Sequence, residues 1–119
     1  MGLKIKRVYE SPDGGDGYRV LVDRLWPRGL AKDKAAVDLW LRDVAPSNEL
    51  RKWFGHDPAR WDEFRALYLA ELDRDEPAAA LRALREQAAA HPVLTLLYAA
   101  HDEAHNNAVV LSELLQSRG

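Results

Sequence analysis

The residues best suited to chemistry fall in two short stretches of the chain. Asp23 and Arg24 close the apolar run Val20-Leu21-Val22. A carboxylate at a strand exit can serve as a general base or hold a partner arginine in place, and a plain Asp–Arg pair at the sheet edge is the simpler expectation. Arg28 stands between Pro27 and Gly29, on a stiff turn. A guanidinium fork held there suits a carboxylate or a phosphate; a solvated surface arginine is the alternative. The second stretch is Tyr98-Ala99-Ala100-His101-Asp102-Glu103-Ala104-His105-Asn106. Histidines four apart share a metal when both lie on one helix. His-Asp-Glu-Ala-His, however, lacks the glutamate that a zincin carries at its second position, and His101 falls in the turn before the helix. No metal ligand is therefore assigned. His105, placed in the first turn of the last helix beside Asn106, is suited to acid/base work or to donating to a ligand oxygen near the helix's positive end. An exposed or capping histidine is its other reading.

Several chemistries are excluded or disfavoured. The 119 residues include no cysteine, which removes disulfides, thiolate metal sites and a cysteine nucleophile. There is no Gly-x-Gly-x-x-Gly and no Walker loop, so no cofactor is assigned. Ser11, Ser47, Ser112 and Ser117 lack the nucleophile-elbow setting, and His56, before the Asp57-Pro58 cap, reads as structural. The chain is 47% hydrophobic and 30% charged, a globular composition. No apolar run approaches the ~20 residues of a membrane span, and Met1–Arg7 carries no signal sequence. A cytoplasmic, bacterial-type protein is expected.

The net charge of −2 conceals a gradient, from +3 over residues 1–60 to −5 over residues 61–119. Arg19, Arg24, Arg28, Lys32 and Lys34 form a local basic stretch that would attract an anion, although nucleic-acid binding wants a broader positive footprint. Of Trp26, Trp40, Trp53 and Trp61, most are expected in the core. Trp26, between arginines at a strand exit, is the candidate for stacking on a ligand.

The elements that must position these residues are legible from hydrophobic spacing. Strands are expected near 3–9, 18–25 and 93–100, with Val37–Val44 readable as a third strand in chain order or as a short helix. Ser47 and Gly55 bracket a helix over Asn48–Phe54. Asp57-Pro58 starts a helix on which Trp61, Phe64, Tyr68 and Leu72 share a face, running to about Asp73. Pro77 opens another, which ends before His91-Pro92, and Asp102 caps the last. The result is an α/β fold: a single three-layer domain over 1–119, with a partly parallel sheet covered by helices. Ligands of such sheets bind beyond the carboxyl ends of the strands, where both reactive stretches lie.

The block from Tyr18 through Asp23-Arg24-Leu25-Trp26-Pro27-Arg28-Gly29 resembles the hallmark of the YeaO-like proteins, a bacterial family of unknown function. Ala45-Pro46-Ser47, Leu50-Arg51-Lys52-Trp53-Phe54, Phe64, Tyr68, Leu96-Leu97-Tyr98-Ala99-Ala100 and His105-Asn106-Asn107-Ala108 extend the resemblance over nearly the whole chain. It implies a compact α/β domain and no established reaction. The family is similar to a wider group that often carries Cys-His-Arg at the start of the last helix and an Asp and Arg at the second strand's exit. Here the first of these reads Ala104-His105-Asn106, which leaves no thiol, and the second is matched by Asp23 and Arg24.

The leading expectation is an anionic small molecule, nucleotide-like among the options, held between Asp23, Arg24, Trp26 and Arg28 on one side and Tyr98, His105 and Asn106 on the other. Were the protein an enzyme, His105 or Asp23 would be the acid/base group and the arginines charge clamps. A non-catalytic nucleic-acid or protein module using Arg19, Arg24, Arg28, Trp26 and Trp53 is the second reading. A metal-dependent hydrolase using His101 and His105 is the third.

Overall fold

A computed structural model of the chain describes residues 2–117. Four strands, β1 (Gly2–Arg7), β2 (Tyr18–Leu21), β3 (Leu39–Trp40) and β4 (Val93–Tyr98), form one sheet in the order β1-β4-β2-β3. All three pairings are parallel. β4 is apolar on both faces and buried from Leu94 to Tyr98, as an interior parallel strand must be. Its insertion between β1 and β2 sets Val20 beside Leu96 and Leu21 beside Leu97.

Helices cover one face. α2 (Asn48–Phe54), α3 (Trp61–Glu71), α4 (Asp75–Ala90) and α5 (Asn107–Gln116) contribute Phe54, Phe64, Tyr68, Leu84 and Leu111 to a core shared with Val20, Leu94 and Leu96. The other face packs Val8, Leu21 and Leu97 against Trp26, Leu30, Val37 and Trp40, with the short α1 (Lys32–Ala35) delivering Ala35. Sheet and two covers make the three layers of an α/β domain. Among the described residues no helix is long and apolar enough to cross a membrane.

Local caps explain most boundaries. The Ser47 hydroxyl accepts from the Leu50 amide, and Gly55 ends α2 in the left-handed region. Asp57 caps a 3₁₀ turn over Pro58–Arg60, so the α-helix proper starts only at Trp61. The segment read two ways divides between both readings: β3 is followed by a 3₁₀ turn at Arg42–Val44. α4 opens at Asp75, two residues before the proline taken as its start. The last helix also moves. Asn106, not Asp102, is its cap and accepts from the Val109 amide, so α5 begins after His105.

Arg19 is not part of a basic surface. It is only 4% exposed and donates to the Asp16 carboxylate and to the carbonyls of Ala35 and Ala36. Asp16, 2% exposed, also receives Lys6. A buried charge persists only when paired and hydrogen-bonded in this way. The Thr95 hydroxyl donates to the Asp16 carbonyl at 2.7 Å, binding this turn to β4.

Gly17 must follow that turn. Its φ is +63°, and a Cβ there would lie 2.3 Å from the Val93 carbonyl oxygen. Gly29 shares a positive φ of +75°, but no atom lies within 4 Å of its Cβ position. Gly17→Ala is expected to cost roughly 3 kcal/mol or more, since clash adds to backbone strain, and Gly29→Ala about 1 kcal/mol. Urea denaturation of both variants measures the contrast, and equal losses would contradict it.

Candidate functional site

Parallel β2 and β4 stay in register until Val22, whose amide donates to the Leu97 carbonyl. In a regular parallel ladder the next rung would join the Ala99 amide to the Val22 carbonyl. That rung is absent, and two side chains replace it. The Asp23 Oδ2 accepts from the Ala99 amide at 2.9 Å, and the Asn107 Nδ2 donates to the Val22 carbonyl at 2.8 Å. The same amide group reaches the Asp23 Oδ1 at 3.2 Å. The strands part here, and a cleft of about 740 Å³ opens at the carboxyl rim of the sheet. Its volume lies within the usual range for small-molecule sites.

The cleft is lined by residues 23–28 from the β2 exit and 99–102 and 105–107 from the β4 exit. The two stretches thus meet in one site. α2 and the segment before it add Ala45, Pro46, Arg51 and Phe54, while Phe64 comes from α3 and His56 from the turn between those helices. Ala45, Pro46, Phe54 and Phe64 are buried, which makes an apolar floor; Arg28, Arg51, His56 and His101 are exposed and form a cationic or ionisable rim. Phe54 and Phe64 stack with centroids 4.3 Å apart.

The expected site residues have different employments. Arg24 makes no pair with Asp23. It donates to the carbonyls of Ala45 and Pro46, at 3.1 and 3.2 Å, and so clamps the loop before α2. The Trp26 indole N–H donates to the Leu30 carbonyl, and its ring meets Trp40 edge-on in the second core. Trp26 lines the cleft, but its polar atom is used internally. Arg28 is exposed, and only its carbonyl is engaged, by the Tyr9 hydroxyl. Tyr98 does not reach the cleft lining: it is 3% exposed and packs in the helix-side core. Burial, then the charges of Glu103 and Glu10, raise its phenol above the ordinary range. Asn106 lines the cleft, yet its side chain is spent on the Val109 amide and the Asp102 carbonyl.

His105 precedes the cap of α5, so it does not sit in the helix's first turn as expected. Its Nδ1 lies 2.9 Å from the Asp102 Oδ2, and its ring meets Trp61 edge-on at 5.2 Å. The hydrogen bond to His105 lowers the Asp102 carboxyl below its usual value. The arrangement fixes the ring, and among the described residues Nε2 has no hydrogen-bond partner. His101 is exposed, and among the described residues no group of three His, Cys, Asp or Glu side chains converges as a metal site. The nucleic-acid or protein reading loses members of its surface: Arg19 is buried, Arg24 is clamped, and Trp53 lies beneath the Arg60 guanidinium.

Asp23 is the electrostatic anomaly of the cleft. Burial pushes its carboxyl up, against the bonds from Ala99 and Asn107 and the fields of Arg51 and His56, which pull it down. Among the described residues it forms no ion pair. Arg51, Phe54, Phe64 and Asn107 stood in the blocks that carry the family resemblance and His56 was read as structural, but none was read as a site residue, because each is an ordinary helix or turn residue until the fold gathers them.

Nearly the whole chain matches known relatives. A family model described as the inactive DUF488-N3 subclade matches residues 2–118. An uncharacterised protein of Mycobacterium tuberculosis H37Rv is 45% identical over 116 residues, covering 98% of this chain and 95% of the relative. The uncharacterised protein YeaO of Escherichia coli K12 is 44% identical over 117 residues, covering 98% and 99%. No solved structure matches at a significant level.

The raised Asp23 carboxyl gives a signed pH dependence. The folded state binds this proton more tightly than the unfolded chain, so the residue's contribution to stability falls as pH rises from the unfolded value of 3.8 through the folded one. Asp23→Asn escapes that loss. Its midpoint relative to the parent is expected to improve by a few degrees between pH 4 and pH 7. Thermal melts across that range check it; a difference independent of pH, or one of opposite sign, would contradict it.

Proposed function

The chain belongs to the YeaO-like family of bacterial proteins, within the subclade described as inactive DUF488-N3, and from that premise we propose that it binds an anionic small molecule of nucleotide-like character in the cleft at the sheet's carboxyl rim. One observation carries this reading. An apolar floor of Phe54, Phe64, Ala45 and Pro46 is bordered by Arg28 and Arg51, whose exposed guanidinium groups are not committed to any acidic partner among the described residues. Arg51 makes only a 3.2 Å contact to Asn48 on its own helix. Planar guanidinium groups recognise phosphate or carboxylate oxygens in pairs, and the floor would take the ring or hydrophobic body to which such a group is attached.

The reading is one of binding without turnover. Ala104 offers no nucleophile at the residue before His105, and the His105 imidazole is held by Asp102 with no hydroxyl or thiol bonded to it. His105 serves instead as a donor or acceptor through Nε2. A phosphorylated ligand of this kind is a cytoplasmic one, which is where this reading puts the protein.

Phenyl phosphate and adenosine 5′-monophosphate are expected to raise the thermal midpoint, since a ligand of the folded state stabilises it. Arg28→Ala and Arg51→Ala should each weaken binding about tenfold, as loss of a charge-assisted contact does, and His105→Ala by less. Affinity should also drop as salt is raised. No response to either compound, or a response indifferent to both arginine variants, would overturn the proposal.

A further inference from the structure

The proposed function leaves Asp23 unexplained, because a carboxylate inside an anion-binding cleft repels the ligand. We infer that Asp23 is the specificity determinant of the cleft, selecting ligands whose ring carries a neutral hydrogen-bond donor in addition to the anionic group. This inference rests on the binding reading above.

Its geometry is that of a preset acceptor. The Ala99 amide at Oδ2 and the Asn107 amide at Oδ1 fix the carboxylate plane. A carboxylate has about four acceptor positions, so roughly half remain open on a group that lines the cleft. The neighbouring guanidinium that would fill them, Arg24, is turned away to the carbonyls of Ala45 and Pro46. The described ion pairs do not include Asp23. A desolvated acceptor with open lone pairs is penalised until a donor reaches it. A ligand N–H or O–H supplies that donor, and a ligand lacking one leaves the penalty in place.

The same charge sorts the ligand's groups. The anion is drawn to the exposed guanidinium groups of Arg28 and Arg51, while Asp23 repels it and accepts a neutral donor. The apolar floor of the cleft takes the ring. The ligand class is therefore an aromatic or heteroaromatic anion bearing a ring amine, amide N–H or hydroxyl, as an amino-substituted nucleobase phosphate does.

Phenyl phosphate and 4-aminophenyl phosphate separate this inference from the reading beneath it, because they differ only by a neutral donor. Calorimetry on the full chain is expected to show 4-aminophenyl phosphate binding about tenfold more tightly. In Asp23→Asn the ratio should fall towards one: the Ala99 amide takes one of the amide oxygen's two acceptor positions, and an NH₂ group replaces the acceptors of the other oxygen. In the parent protein the Ala99 amide resonance should move further with the amino compound than with phenyl phosphate, a readout that needs no variant to fold. If phenyl phosphate binds and the amino group adds nothing, or if the ratio survives in Asp23→Asn, the inference is overturned and the binding reading stands. Binding of neither compound overturns both.

Discussion

The site exists because one rung of a parallel ladder is missing. β2 and β4 pair in register through Leu21 and Leu97, and the backbone bond from Val22 to Leu97 continues the pattern. The next amide and carbonyl are still partly shielded from water and still need partners. Asp23 and Asn107 supply them from side chains. Each thus performs a structural duty, satisfying the backbone where the strands separate, and each is thereby carried to the rim of the opening. With a backbone rung in their place the two strands would stay together, and residues 23–28 and 99–107 would have no space between them. The reliance on side chains also couples α5 to the sheet, since Asn107 is the helix's first residue.

Arginine has a second constructional use here. Arg7 donates to the carbonyls of Ala99 and Ala100, Arg19 to those of Ala35 and Ala36, and Arg24 to those of Ala45 and Pro46. Each guanidinium spans two consecutive or nearby carbonyls, a task that its rigid fork suits and a lysine ammonium does not. Loops that follow strands expose carbonyls without ladder partners, and these clamps satisfy them. The rim of the cleft is therefore held at several points: Arg7 on the β4 exit, Tyr9 on the β2 exit through the Arg28 carbonyl, and Arg24 on the approach to α2. A rim fastened in this way favours a preformed site over one shaped by its ligand.

These duties explain what could and could not be read from the residues alone. The strands announced themselves through Val20-Leu21-Val22 and Val93–Tyr98, because a run apolar on both faces has few alternatives. The helix start at Ser47 and the capped turn at Asp57 were legible because a cap is a local hydrogen bond, although the α-helix after Asp57 begins only at Trp61. The meeting of the two rim stretches followed from parallel topology alone. The cap of α5 was misplaced because Asp102 makes the same local bonds a cap makes, to the amides of Ala104 and His105, four residues before the true cap. Arginine roles were the least legible. A guanidinium that clamps carbonyls, one that neutralises a buried aspartate and one that stands free at a rim look alike in a sequence. The basic stretch from Arg19 to Arg28 contains one of each kind. Tyr98 was misread for a related reason: its place at a strand's carboxyl end is correct, but side chains alternate between faces, and this one turns into the core.

The same accounting bears on the chemistry of the cleft. A nucleophile from the chain itself would have to lie within reach of the oriented histidine. The residues flanking His105 are Ala104 and Asn106, and the asparagine side chain is already consumed in capping. What the cleft retains is charge placement. A carboxylate, exposed guanidinium groups and an aromatic floor share the cleft, and Asp23 costs stability in the empty protein, because burial outweighs the bonds and fields that favour its charge. A site built only for packing would carry a neutral residue there, since asparagine could accept the Ala99 bond without the burden of charge. A charged group held at a stability cost, fixed by two hydrogen bonds and lining an open cleft is the pattern expected where function opposes stability.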